Sequence, residues 1–89
     1  MTIFEDIDDL EAWLAPLDYV GFWEALKPWA VFGDDDRAHC DTVITGGATP
    51  QHTVLFCLKA MARIALTARL GLKDRIYEPV DRQYLATTH

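Results

Sequence analysis

Cysteine, glycine and basic residues are all scarce in this chain, and each shortage excludes a class of protein. Two cysteines, Cys40 and Cys57, among 89 residues are too few for the bridged framework of a small disulfide scaffold. Five glycines are spread so that neither Gly-x-Gly-x-x-Gly nor a Walker loop occurs, which removes the usual phosphate cradles. No uninterrupted apolar run approaches the roughly 20 residues that span a bilayer. The start, Met1-Thr2-Ile3-Phe4-Glu5-Asp6, lacks the basic residues and apolar core of a secretory leader. Together these absences predict a cytoplasmic protein with no membrane partner.

What is present points to a folded domain. The hydrophobic fraction is 51% with three Trp, too apolar for a disordered chain. A domain this small hides only about 60–65% of the surface its unfolded chain exposes, so self-association would add to its stability. No repeat or linker-like shift divides residues 1–89, and one domain is expected.

The longest coherent stretch runs from Thr49 to Gly71 and reads as one helix. Thr49 is a cap candidate, Pro50 suits the first helical position, and Gly71 supplies a left-handed end. At 1.5 Å per residue the rod is roughly 30 Å long, so the other elements must be arranged around it. Its broad apolar stripe, Val54, Cys57, Leu58, Met61, Ile64, Ala65 and Ala68, predicts the core face. His52, Lys59, Arg63 and Thr67 form the polar side. A narrower strip of Leu55, Ala62 and Leu66 lies beside those polar residues, to be covered by another segment of the chain or by an oligomer partner.

Three shorter elements precede it. Thr2-x-x-Glu5 has the spacing of a capping box and predicts a first helix whose apolar face is Ile3, Phe4, Ile7, Leu10 and Leu14. Pro16 ends it. Asp18 is then a cap for a short helix over Tyr19–Lys27 with Tyr19, Phe22, Trp23 and Leu26 on one stripe. Asp34-Asp35-Asp36 opens a third helix that buries Cys40, Val43 and Ile44 and ends at Gly46-Gly47. The alternative for residues 29–45 is a small hairpin, which would make the fold α+β. Beyond Gly71, Pro79 opens a last short helix, and Ile76, Tyr77, Val80, Tyr84 and Leu85 are apolar enough to dock this tail on the long helix. The expectation is an all-α, compact four- or five-helix single domain organised around one long central helix.

Charge is distributed unevenly along the chain. Residues 1–44 hold eleven Asp or Glu against two Lys or Arg, and residues 45–89 hold three against six. The acidic helices are therefore expected to pack beside the basic side of the long helix. A net charge of −6 disfavours direct nucleic-acid binding, which is driven by basic patches.

No group of residues reaches the threshold for catalysis. His39, Cys40 and Asp41 are the types of a nucleophile and base, with His52 and Cys57 nearby in sequence, but neighbours on a helix point about 100° apart. None of the usual zinc spacings joins His39, Cys40, His52 and Cys57. Asp34–Asp36 lacks the alternating ligands of a calcium loop. Gly46-Gly47 before a helix start is a weak anion signal at most. Neither metal nor cofactor is expected, and no residue is assigned a catalytic role.

The function that remains is protein–protein interaction, as a regulator, adaptor or accessory subunit, with a protein partner or with a second copy. The surface residues favoured for it are Asp6, Asp8, Asp9, Glu11, Trp13, Trp29, Asp34, Asp35 and Asp36, with Leu55, Ala62 and Leu66 as an oligomer face. One alternative is an acidic, nucleic-acid-mimicking inhibitor of a DNA- or RNA-handling protein. A small enzyme using His39, Cys40 or His52 is the other.

Overall fold

In the computed structural model residues 4–72 are described. They form four α-helices: α1 (Ile7–Leu14), α2 (Tyr19–Leu26), α3 (Asp34–Thr45) and α4 (Gln51–Leu70), with a 3₁₀ turn at Lys27–Trp29. The all-α expectation holds, and no strand occurs among the described residues. The hairpin alternative for residues 29–45 is corrected to helix α3 because Asp36 closes a cap there: its Oδ2 accepts from the Gly33 N–H at 2.9 Å.

The first helix begins later than the Thr2-x-x-Glu5 spacing predicts. Asp6 is the N-cap, its Oδ1 accepting from the Asp9 N–H at 3.0 Å, while Asp9 Oδ2 accepts from the Glu5 N–H at 3.0 Å. Two short carboxylates thereby satisfy amides at the helix start and complement its dipole. Phe4, ahead of the helix, turns inward and is buried, as are Leu10 and Leu14 on α1. Helix α2 follows the sequence closely. Asp18 Oδ1 accepts from the Gly21 N–H at 2.7 Å, and Tyr19, Phe22, Trp23 and Leu26 are all buried.

After Pro28 the chain leaves the 3₁₀ turn through Ala30, whose φ of 53° is left-handed. A non-glycine residue pays for that geometry. The guanidinium of Arg69 holds the neighbouring Trp29 carbonyl from α4. Helix α3 is the least embedded element: Cys40, Val43 and Ile44, expected to be buried, are only half-buried.

Helix α4 starts one position from expectation, with Pro50 as N-cap and no side-chain capping bond. It ends as expected at Gly71, φ 65°, where the Leu72 N–H reaches the Thr67 carbonyl at 3.0 Å. Only glycine adopts that conformation freely. Leu72 then packs against the core.

The main correction concerns which face of α4 is inward. Leu58, Ala62 and Leu66 are buried, the last two at 0% exposure, and Leu55 is half-buried against the same cluster. The strip considered as an oligomer face is therefore covered within the chain, in one cluster with α1 and α2. Of the stripe expected to form the core, only Leu58 is buried; Val54 and Ala65 are half-buried, while Cys57, Met61, Ile64 and Ala68 are exposed. Polar contacts beside the strip accompany this orientation. Lys59 Nζ donates to the Ala15 carbonyl at the end of α1 at 2.9 Å, and Arg63 Nε donates to Glu11 Oε1 at 2.7 Å. These bonds satisfy a helix C-terminus and pair an acidic helix with the basic side of α4. With those contacts at its edge, the adjacent strip packs inward against α1 and α2 and the broader stripe faces out. The expected helix after Pro79, with Ile76, Tyr77, Val80, Tyr84 and Leu85, lies outside the described residues.

Candidate functional site

Because α4 is apolar over most of its circumference, burying one side leaves the other in water. Phe56 is 74% exposed, Ile64 66% and Met61 50%, with Cys57, Ala60 and Ala68 exposed among them. Single exposed apolar side chains are ordinary, but a continuous set on one helix face is not. No acidic or basic residue interrupts this face.

Two depressions flank it. On one side Glu11 and Leu14 of α1, Ala15 at its end, and Phe56, Lys59, Ala60 and Arg63 of α4 line a shallow hollow of about 410 Å³. Toward α3, a groove of about 230 Å³ runs between the two helices, floored by Cys40, Val43, Val54, Cys57, Leu58 and Met61. His39, Thr49 and Thr53 stand at its edges. The groove exists because α3 and α4 form a helical hairpin whose medium-sized side chains do not fill the space between them.

The chemistry of the groove is that of a binding surface. Burial pushes the Cys40 thiol above its ordinary value, and the carboxylates of Asp36 and Asp41 push it further the same way. The thiol is thus held protonated, opposite to what a nucleophile needs. His39 is exposed at the groove edge, whereas His52 is exposed at the start of α4 and does not line the groove. Among the described residues, no three His, Cys, Asp or Glu side chains are placed to hold a metal ion. A second tie fixes α3 beside α2: the Tyr19 hydroxyl donates to Asp41 Oδ1 at 2.6 Å. Burial, then that hydrogen bond, raises the Tyr19 pKa above 10.0.

The residues picked out as partner-binding divide into two groups. Asp6 is 5% exposed and caps α1, Asp9 holds the Glu5 amide, and Glu11 pairs with Arg63, so all three serve internal bonds. For Asp6 this corrects the expectation of a surface role, since a cap facing its own helix amides is turned away from solvent. Asp8 is exposed, as are Asp34, Asp35 and Asp36 along the first turn of α3. Trp13 and Trp29 are half-buried on the two sides of Phe4, with ring centroids at 5.3 and 5.8 Å from it. Asp8, Trp13 and Trp29 do not converge on one patch with the α4 face, whereas Asp36 at the start of α3 lies close enough to act on Cys40 in the groove beside it. Cys57, Met61, Ile64 and Ala68 of that face belong to the apolar stripe that the sequence pattern places in the interior, whereas Phe56 and Ala60 lie outside that stripe.

No protein-family model matches this chain, and no characterised protein or solved structure is significantly similar to it. No helix of the described residues is long and apolar enough to cross a membrane.

Proposed function

We propose that this protein acts by binding another protein through the outward face of α4, with no reaction of its own. The observation that carries this reading is the exposure of Phe56, Met61 and Ile64 on one uncharged helix face. A surface helix in an isolated domain normally presents polar residues to water, so an apolar outer face is the signature of a surface covered in the working state. Aromatic and Met side chains are also what interface centres enrich. The reading places the protein in a reducing cytoplasm, where Cys57 persists as a thiol in the middle of that face.

The acidic-mimic alternative has less support. Asp6 is buried as the α1 cap, and the exposed Asp9 and Glu11 are engaged in bonds within the chain, which leaves fewer free carboxylates for such a surface.

The test is a pair of substitutions on the outward face, Ile64→Ser and Met61→Ser. Both side chains are at least half in water, so the variant should melt within a few degrees of the parent. Loss of self-association in sedimentation, or loss of a cellular protein that the parent retains and binds in isothermal titration, is the expected outcome. A variant that keeps every interaction of the parent removes α4 as the binding surface.

A further inference from the structure

The groove that borders this face has a chemical polarity that narrows the partner. Its floor is apolar, and from Thr53 to Met61 it follows α4 for about 12 Å, just over two helical turns. A cleft between two helices accepts a third by ridge-into-groove packing, with anchors at i, i+3 or i+4 and i+7. Its α3 rim is acidic. Asp36 lies one turn before Cys40 on the groove side of α3, Asp35 one turn before His39, and the fields of Asp36 and Asp41 both reach the Cys40 thiol. The only cation on α3, Arg37, lies against Glu24 at 3.8 Å. Lys59, Arg63 and Arg69 are drawn to Ala15, Glu11 and Trp29, away from the groove.

We infer that the α3–α4 groove receives an amphipathic helix of a partner protein whose polar face is basic, with apolar side chains seated on Met61, Cys57 and Val54 and its cations along the α3 rim. The inference rests on the reading of α4 as the binding face and specifies what fills it. A second copy of this chain fits less well, since each copy carries a net charge of −6 and presents the same acidic α3.

Two synthetic 18-residue helical peptides test it, sharing a Leu stripe at i, i+3, i+4 and i+7 and differing only in an all-Lys or all-Glu polar face. Binding to the full chain is read by fluorescence anisotropy at low and high salt. In a Cys40→Ala background, the reaction rate of the Cys57 thiol with Ellman's reagent reports whether the peptide sits in the groove. The Lys peptide should bind at least tenfold tighter than the Glu peptide, slow the Cys57 reaction severalfold, and lose most of its advantage at high salt. Asp35→Asn with Asp36→Asn should close the gap between the peptides, the amide oxygen still capping Gly33. Equal affinities for the two peptides, both weakened by Ile64→Ser, would overturn the basic partner and leave the α4 face standing. No protection of Cys57 by either peptide would overturn both. A Cys57 thiol already slow in the free protein, in a monomer or in a dimer, would show the groove covered by the chain itself or by a copy and would likewise overturn the inference.

Discussion

Leu66 and Met61 lie on nearly opposite sides of α4, and truncating each to Ala measures which side holds the fold together. Leu66 is at 0% exposure in the cluster with Leu10, Leu14 and Phe22. Leu66→Ala removes about three buried carbons at about 0.8 kcal/mol each. The cavity left between helices brings the total to about 3–4 kcal/mol. For a chain of this size, with stability of roughly 4–13 kcal/mol, that is a large fraction, and it lowers the melting temperature by about 12–30 °C. Met61 is 50% exposed and opens onto the groove. Met61→Ala gives up half of a smaller transfer term and leaves no enclosed cavity, so about 0.5–1 kcal/mol is expected. Urea unfolding followed by tryptophan emission gives both values, with an unchanged slope as the check that the unfolded states are comparable. Equal costs, or a larger cost for Met61, would refute the orientation of α4 and with it the binding face.

Asp6→Ala should cost about 0.5–2 kcal/mol through loss of the α1 cap, whereas Asp8→Ala, on the exposed side, should change the thermal melt by no more than a few tenths. Tyr19 in the folded state holds its proton above the pH at which an unfolded tyrosine loses it, so its contribution is intact below about pH 10 and is lost as pH rises through the higher folded value. Tyr19→Phe should remove that alkaline slope in stability against pH and cost about 1 kcal/mol near neutrality. Gly71→Ala, at φ 65°, should destabilise the protein by about 1 kcal/mol, measured by denaturant titration. At pH 8 the exposed Cys57 should react with Ellman's reagent before Cys40, whose thiol is raised by burial and two carboxylates; the reverse order, seen by mass spectrometry of the modified chain, would contradict the groove geometry.

Helix type and helix ends were legible wherever local chemistry decides them. Asp18 before an aromatic stripe, Pro16 after Leu14 and Gly71 after Leu70 act on their own few residues, and no distant contact competes with them. The start of α1 was misplaced by a local contest of the same kind: Thr2 and Asp6 both head plausible caps, and the inward turn of Phe4 between Trp13 and Trp29 favours the later one. The half-buried positions of those two Trp were readable from their places beside the main stripes. The acidic residues were harder to read, because a carboxylate that caps a helix and one that faces solvent are written with the same letter.

The sequence by itself determined that the chain is helical, where α2 and α4 lie to within a residue, that Tyr19, Phe22, Trp23 and Leu26 point inward, and that the acidic α1 packs beside the basic side of α4. Only the tertiary structure decided which side of α4 is the core. Helical periodicity reports the angle between residues and not the direction of the protein's centre, and α4 is apolar on two sides, so its pattern is satisfied by either orientation. The side chosen is the one that joins Leu58, Ala62 and Leu66 to the cluster of α1 and α2, and exposed long-range bonds of Lys59, Arg63 and Arg69 with Ala15, Glu11 and Trp29 accompany it. Those pairings join residues forty or more positions apart, and the apolar face left outward is the surface on which the proposed function rests.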